Sequence, residues 1–148
     1  MNAKPHPAQI LFTEKHPLTA ALNMKFHFED PKHLRVDVAA PAEFADRDGI
    51  HVHSGFATLL LDTVLGSCAI GKLEEMKPIA TMKLSCNHVR RIQVGEEVQC
   101  RATWLGEENT VSFINGDIMR IADETVLSTA VGSFMVGTAS RPLSEKKQ

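Results

Sequence analysis

The most apolar stretch of the chain reads Ser54-Gly-Phe-Ala-Thr-Leu-Leu-Leu-Asp62-Thr-Val-Leu-Gly-Ser-Cys-Ala-Ile-Gly71. A stretch of this length is close to what a membrane span requires. Asp62, three glycines and several Ser and Thr residues are unfavourable inside a bilayer. Apolar residues occur on every side of the helix that this stretch would form. We therefore predict a core helix near residues 54–72, covered on almost all faces by other elements.

The flanking sequence predicts strands on both sides of this helix. Turn residues separate the segments at Gly95-Glu96, at Gly106–Asn109 and at Ala122–Glu124. Along the chain the elements follow the order strand-strand-helix-strand-strand-strand-strand. This order predicts an α+β fold, in which an antiparallel sheet packs one face against the helix. The segments with strand patterns are Met24–Phe28, Leu34–Val38, Ile79–Val89, Glu96–Trp104, Val111–Ile121 and Val126–Val136.

Length bounds the domain organisation. A chain of 148 residues suits one domain with one core. We expect that single domain to span residues 1–148, with a short N-terminal helix at about 7–22 and a frayed tail at 141–148.

Composition excludes several classes of function. A hydrophobic fraction of 43% and a charged fraction of 23% are ordinary for a soluble globular protein. The net charge of −2 gives no indication of a general nucleic-acid or membrane-surface binder. The three cysteines are odd in number and form no CxxC pair, which favours reduced thiols in a cytoplasmic protein over disulfides or a zinc site. The N-terminal residues lack the apolar core of a signal peptide, so we expect a cytoplasmic location.

Asp62 is the most conspicuous candidate for chemistry. It is the only formally charged residue between Asp48 and Lys72. We expect its carboxylate to be buried without a charged partner, which costs several kcal/mol. Such an acid either accepts hydrogen bonds for structural reasons or belongs to a reactive site, and spacing alone favours neither. His53, nine residues earlier, and the small pair Ser54-Gly55 open the helix and favour the reactive site.

The string from His53 to Gly66, His-Ser-Gly-Phe-Ala-Thr-Leu-Leu-Leu-Asp-Thr-Val-Leu-Gly, resembles the hotdog-fold acyl-CoA thioesterases of the PaaI-like, phenylacetic acid degradation-related group. That family's pattern is roughly His-Gly-Gly, then Ala-Thr-Leu, then an acid nine residues after the His. The segment 81–95 is similar to the family's strand that ends in a basic turn and Gly, and the likeness covers about residues 18–137. It implies a hotdog fold, in which a curved antiparallel sheet wraps around a long central helix, and an acyl-CoA substrate.

The chain departs from that pattern at two points. Ser54 stands where the family has the first glycine of His-Gly-Gly. Asp46-Arg47-Asp48 falls near the family's upstream Asn or Gln, so charged residues replace a polar amide that is thought to contact the substrate. These departures affect the chemistry of the site and leave the expected fold unchanged.

Thioester hydrolysis requires a donor for the developing oxyanion and a base or nucleophile at the carbonyl carbon. Free backbone N–H groups at a helix start supply the donor, here those of Ser54 or Gly55. Asp62 supplies the second group, either by activating water or by attacking directly. His53 is expected to fix the turn. A competing hypothesis makes the Ser54 hydroxyl the nucleophile, although adjacent residues in an extended segment point to opposite sides, which places His53 badly as its base.

Further residues are expected to contact the substrate. Arg90 and Arg91 at a strand end suit coenzyme A phosphates, since Arg pairs bidentately with phosphate, although an ordinary solvated turn explains them equally well. The remaining candidates are Gly55, Arg47, Asp48 and Thr63. His51 and His53 point the same way in an extended segment, but no third ligand is evident, so we expect no metal and no cofactor other than the coenzyme A of the substrate.

The spacing of Ser54 and Asp62 predicts the assembly. Eight residues separate them, about 12 Å along one helix, so one helix does not place both around the same carbonyl. Two antiparallel helices related by a two-fold axis do, as the resemblance also implies, so we expect a homodimer at least, and the family makes a tetramer plausible. A non-catalytic acyl-CoA-binding protein and, less well supported, an acyl-CoA dehydratase remain alternatives. The sequence does not identify the acyl group.

Overall fold

The computed structural model describes residues 5–139, and within them a six-stranded antiparallel sheet packs against one long helix. The helices are α1 (Pro7–Ile10), α2 (Pro17–Ala21) and α3 (Ser54–Gly71), with a π-helical turn at Leu11–Lys15 and a 3₁₀ turn at Ala42–Phe44. The strands are β1 (Lys25–Asp30), β2 (His33–Ala39), β3 (Ile79–His88), β4 (Glu97–Glu108), β5 (Val111–Arg120) and β6 (Val126–Val136). Their order across the sheet is β1-β2-β4-β5-β6-β3. The predicted α+β hotdog fold is confirmed.

The helix α3 is the centre of the core. Ten of its eighteen residues are buried, among them Phe56, Leu60 and Leu65. By length and composition alone α3 would suffice to cross a membrane, but these residues are covered by the sheet of the same domain. The predicted core helix is therefore confirmed.

One side of α3 is less covered than the others. Ser54 and Gly55 are exposed, and Thr58-Leu59 and Asp62-Thr63 are half-buried. These pairs follow one another at intervals of four residues, so they lie on one side of the helix. A hydrogen bond between Thr58 and His88 and one from Thr81 to Asp62 show that it runs along β3. We call this side of α3 the open stripe.

The strand β3 lies at an edge of the sheet. Its one strand neighbour in the described part of the chain is β6, and the other edge of β3 has none. All its residues are exposed or half-buried, and Met82 is 55% exposed. The open stripe and this free edge therefore adjoin each other on one side of the domain.

The N-terminal segment differs from the predicted single helix at 7–22. Three short pieces form instead, and the break falls at His16-Pro17. A proline has no N–H to donate and forces the residue before it out of helical geometry, and His16 is accordingly extended (φ −80°, ψ 120°). The predicted tail at 141–148 lies outside the described residues.

The turn predicted at Gly106–Asn109 was wrong by two residues. The strand β4 continues to Glu108, because an irregularity between Trp104 and Gly106 accommodates Leu105 as an extra residue in the ladder. The hairpin turns at Asn109 and Thr110, which both have positive φ (49° and 65°), as a two-residue turn between twisted strands requires.

Candidate active site

His53 caps the N-terminus of α3 and fixes how that helix begins. It is extended (φ −60°, ψ 141°), and its ring Nδ1 accepts a hydrogen bond of 2.9 Å from the Gly55 N–H. Its carbonyl accepts a second bond of 2.9 Å from the Phe56 N–H. Because Nδ1 acts as an acceptor, the ring is neutral in this arrangement and its proton is on Nε2. The expected role of His53 in the turn agrees with this geometry.

Gly55 is adapted to that cap. A Cβ atom at position 55 would lie 2.9 Å from His53 Nδ1, closer than real Cβ contacts allow. Any side chain there would displace the imidazole and remove the cap. Gly55 therefore serves the cap, and its N–H is already bonded.

Ser54 is left with a free donor. Its backbone N–H has no hydrogen-bond partner among residues 5–139, whereas the next two N–H groups both bond to His53. The residue is exposed, and it stands at the positive end of an eighteen-residue helix. Of the two donors that the sequence offered, Ser54 is the one free to bind an oxyanion.

A cleft of about 250 Å³ opens at this helix start. Four elements form it: the N-terminus of α3, the end of β3 with the turn after it, the start of β6, and the loop before α3. Its lining comprises Asp46, Val52, His53, Ser54, Ala57, His88, Val89, Arg90, Arg91, Ile92 and Ser128. The structure thus brings together Ser54, His53, Arg90 and Arg91 of the predicted site residues.

The loop before α3 is held by an ionic cluster. Asp48 accepts hydrogen bonds from the backbone N–H groups of Ile50 and His51 and from the His51 ring, and Arg91 lies 2.7 Å from its Oδ2. These donors, first of all the His51 N–H, hold the pKa of Asp48 well below its usual range, so it remains ionised. Arg91 also bonds to Asp46 at 2.9 Å. His51 is thereby paired with Asp48 and does not converge with His53.

The three predicted arginines differ in the partners of their guanidinium groups. Two carboxylates neutralise Arg91, while Arg90 Nη1 donates to the Val126 carbonyl at 2.9 Å. Arg47 is exposed, and no partner of its guanidinium lies within residues 5–139. Asp48 and Arg91 hold the loop, and contacts of these residues with a substrate remain predictions.

Asp62 does not line the cleft. It is half-buried, and Thr81 Oγ1 donates to its Oδ1 at 2.8 Å. The expectation of a buried carboxylate was therefore wrong, since the open stripe leaves Asp62 access to solvent. Its partner is a hydroxyl of β3, and no charged side chain pairs with it among residues 5–139. The neighbouring Thr63 hydroxyl donates to the Leu59 carbonyl of its own helix at 2.8 Å.

The thiol of Cys86 lies between the two ends of the open stripe. Burial raises its pKa, the Thr58 hydroxyl lowers it and the charge of Asp62 raises it. The thiol is therefore protonated at neutral pH and a poor nucleophile.

The sequence analysis missed Thr81 and His88. Thr81 lies nineteen residues after the acid that it contacts, and His88 lies forty residues before its partner Ser128. Strand pairing, not local pattern, brings these groups together. The one signal in the sequence was the position of both residues in the predicted strand 79–89.

Comparison with known protein families identifies the superfamily of the chain. Residues 49–127 match the thioesterase superfamily, which is more than half of the chain, and the protein belongs to that superfamily. The matched region contains the whole of α3 and the cleft except for Asp46 and Ser128. No curated protein sequence matches the chain.

Several solved structures share the fold. A phenylacetic acid degradation-related protein from Ralstonia eutropha JMP134 is 22% identical, with a TM-score of 0.76 over 87% of this chain and 98% of that one. The PaaI protein of the E. coli phenylacetic acid degradation operon is 13% identical, with a TM-score of 0.74 over 83% and 86% of the two chains. A Streptococcus mutans UA159 protein bound to acetyl CoA is 16% identical, with a TM-score of 0.70 over 81% and 92%. The predicted resemblance to hotdog-fold, PaaI-like thioesterases is confirmed.

Proposed function

We propose that the protein is an acyl-CoA thioesterase that hydrolyses the thioester of a small or medium acyl-CoA. The observation that carries this proposal is the Ser54 N–H at the start of α3, which is on the wall of a cleft and has no hydrogen-bond partner among the described residues. Membership of the thioesterase superfamily supports the reaction class. The acetyl CoA bound to the Streptococcus mutans protein supports coenzyme A as part of the ligand.

The chemistry follows from the helix terminus. The thioester oxygen accepts a hydrogen bond from the Ser54 N–H, and the positive end of the α3 dipole stabilises the charge that develops on it. Asp62 acts on the other side of the carbonyl carbon as a general base for water or as the nucleophile. The Thr81 hydroxyl orients one carboxylate oxygen and leaves the other for this step.

A second copy of the chain completes this site. Ser54 and Asp62 are separated by eight residues of one straight helix, about 12 Å, and the cleft of one chain excludes Asp62. We propose a homodimer in which two α3 helices lie antiparallel, so that each site takes Ser54 from one copy and Asp62 from the other. The open stripe and the free edge of β3 are the surface for this contact, because the stripe is exposed or half-buried and that edge has no strand partner among residues 5–139.

Static light scattering after size-exclusion chromatography tests the assembly. We expect a mass of twice 16.3 kDa or a multiple of it at micromolar concentration. Met82→Lys, which places a charge on the exposed side of β3, should shift that mass toward the monomer and lower activity in parallel. A stable monomer with full activity would contradict the shared site.

The coenzyme A end of the substrate is assigned to the arginines that retain free donors. Arg47 is unpaired among the described residues and Arg90 bonds to a single carbonyl, so we propose these two for the phosphates ahead of Arg91. Phosphate contacts of this kind weaken with salt.

The enzyme needs no resident cofactor in this mechanism. We also place it in the cytoplasm, because its three cysteines are free.

A thiol-release assay tests the reaction directly. The purified protein is incubated with acyl-CoAs of increasing chain length, and with an aromatic acyl-CoA, and free coenzyme A is measured with a thiol reagent. We expect release above the spontaneous rate for at least one substrate. Binding without release would support the non-catalytic acyl-CoA-binding alternative, and loss or gain of water across a carbon–carbon double bond would support the dehydratase.

A further inference from the structure

The cleft beside Ser54 contains five titratable side chains, and four of them are not free to transfer a proton. His53 Nδ1 accepts the bond that caps α3, so a second proton on its ring would break the cap. Asp46 pairs with Arg91. Arg90 and Arg91 remain protonated in any protein environment. The fifth side chain is His88, the last residue of β3.

His88 is held by two hydroxyl groups. Its Nδ1 lies 3.2 Å from Ser128 Oγ, and its Nε2 lies 3.4 Å from Thr58 Oγ1. Ser128 is 1% exposed, and this is the one hydrogen bond of its hydroxyl in the part of the chain that the structure describes. A hydroxyl can donate or accept, so the pair tolerates the ring with one proton or with two. The bond at Nε2 is at the limit of hydrogen-bond length and is easily exchanged for a substrate atom.

The charged groups around His88 have other partners, so they do not bind its imidazole ring. Arg90 follows it, with its guanidinium on the Val126 carbonyl. Cys86 precedes it on β3 and is neutral, because burial raises the pKa of its thiol. From the loop and α3 come Asp46, paired with Arg91, and the neutral ring of His53. No carboxylate bonds to the His88 ring among residues 5–139.

We propose that His88 is a further catalytic residue, the general acid that protonates the sulfur of the departing coenzyme A. This inference rests on the proposed thioesterase function. A carbon–oxygen bond forms from water to the carbonyl carbon, and the water proton goes to Asp62. The carbon–sulfur bond breaks, its electron pair goes to sulfur, and the sulfur takes the Nε2 proton of the His88 imidazolium. The same transfer serves a direct attack by Asp62, because the carbon–sulfur bond breaks in both cases.

The leaving group gives such an acid a role, because a proton is gained at sulfur in the overall reaction. A free alkyl thiol has a pKa of about 8.5, so the released sulfur is protonated at neutral pH. Imidazole is the side chain that holds and releases a proton in this pH range. His88 lines the same cleft as the oxyanion donor of its own chain, Ser54.

The dependence on the leaving group tests the proposal. His88→Gln keeps an amide near the position of Nε2 and removes the transferable proton. We expect its kcat/KM for an acyl-CoA to fall by about a hundredfold, the lower range for a lost general acid. With an S-aryl thioester of the same acyl group, whose acidic thiol leaves without a proton, the loss should stay within a few-fold. Equal losses on both substrates, or no loss on either, would overturn the proposal.

Further measurements separate catalysis from folding. Ser128→Ala retains the imidazole and removes its anchor, so we expect a smaller loss with the same dependence on the leaving group. His33→Gln is the matched control, since His33 pairs with Asp30 at the start of β2, outside the cleft.

Asp62→Asn distinguishes this inference from the proposed function. It should lower the turnover of both thioesters, because both require attack on the carbonyl carbon. If Asp62→Asn lowers both and His88→Gln lowers neither, the inference about His88 alone is wrong. If the unmodified protein releases thiol from neither substrate, the proposed function itself is wrong.

Discussion

We expect Asp62→Asn to lower the turnover of acyl-CoA by at least about a hundredfold, the usual scale for the loss of a catalytic base. The amide oxygen of Asn still accepts the hydrogen bond from Thr81, which is 2.8 Å from Asp62 Oδ1, so the local structure is retained. An amide neither takes a proton from water nor attacks a thioester at neutral pH. Steady-state kinetics with the best acyl-CoA substrate measure the effect.

Stability separates this role from a structural one. Because Asp62 is half-buried and already has one partner, its replacement should change the free energy of unfolding by no more than about 1 kcal/mol, the scale of a single hydrogen bond. Thr81→Val is the companion variant, since it removes the hydroxyl and retains the β-branched shape. We expect it to lose less activity than Asp62→Asn. An Asp62→Asn protein that folds normally and retains full activity would show that the carboxylate is not catalytic.

Ser54→Pro is expected to have an effect of similar size. It removes the Ser54 N–H, which has no partner within residues 5–139, and losing one oxyanion donor costs about 2.7–4 kcal/mol in transition-state stabilisation. The helix should survive, because proline is favoured at the first helical position and His53 already has the extended geometry that precedes proline (ψ 141°). The measurement is kcat, with circular dichroism to establish that the variant is folded.

Two control variants make this result specific. Ser54→Gly and Ser54→Ala keep the backbone N–H, so both should retain activity within a few-fold of the original. The competing hypothesis, in which the Ser54 hydroxyl is the nucleophile, makes the opposite forecast for Ser54→Ala. An inactive Ser54→Ala enzyme, or an acyl group found on Ser54 by mass spectrometry, would replace Asp62 with Ser54 as the attacking group.

Local sequence predicted the elements of the fold better than their ends. The helix at 54–71 and all six strands were expected, because period and turn residues are properties of neighbouring positions. The exceptions have local causes that outweighed the pattern. Pro17 interrupts an otherwise helical segment, and the bulge at Leu105 lets β4 continue past Gly106.

The candidate site was predictable only in part. One continuous segment contains His53, Ser54 and Asp62. The spacing of the last two therefore showed that a single helix does not place the Ser54 N–H and the Asp62 carboxylate around the same carbonyl. The contacts of Thr81 with Asp62 and of His88 with Ser128 arise from pairing between distant segments. Arg91 and Asp48 illustrate the same limit, because their ion pair joins residues forty-three positions apart and gives them a structural task.

The position of β3 in the sheet has a consequence for synthesis of the chain. β3 carries Thr81 and His88, and its one strand partner among the described residues is β6, the last of the described strands. On the ribosome, β3 is made long before Val126–Val136, and until then it lacks the strand with which it pairs among the described residues. The edge that bears these two side chains is therefore completed last, and a nascent chain ending before β6 holds the acid and the helix cap without their partners from β3 in place.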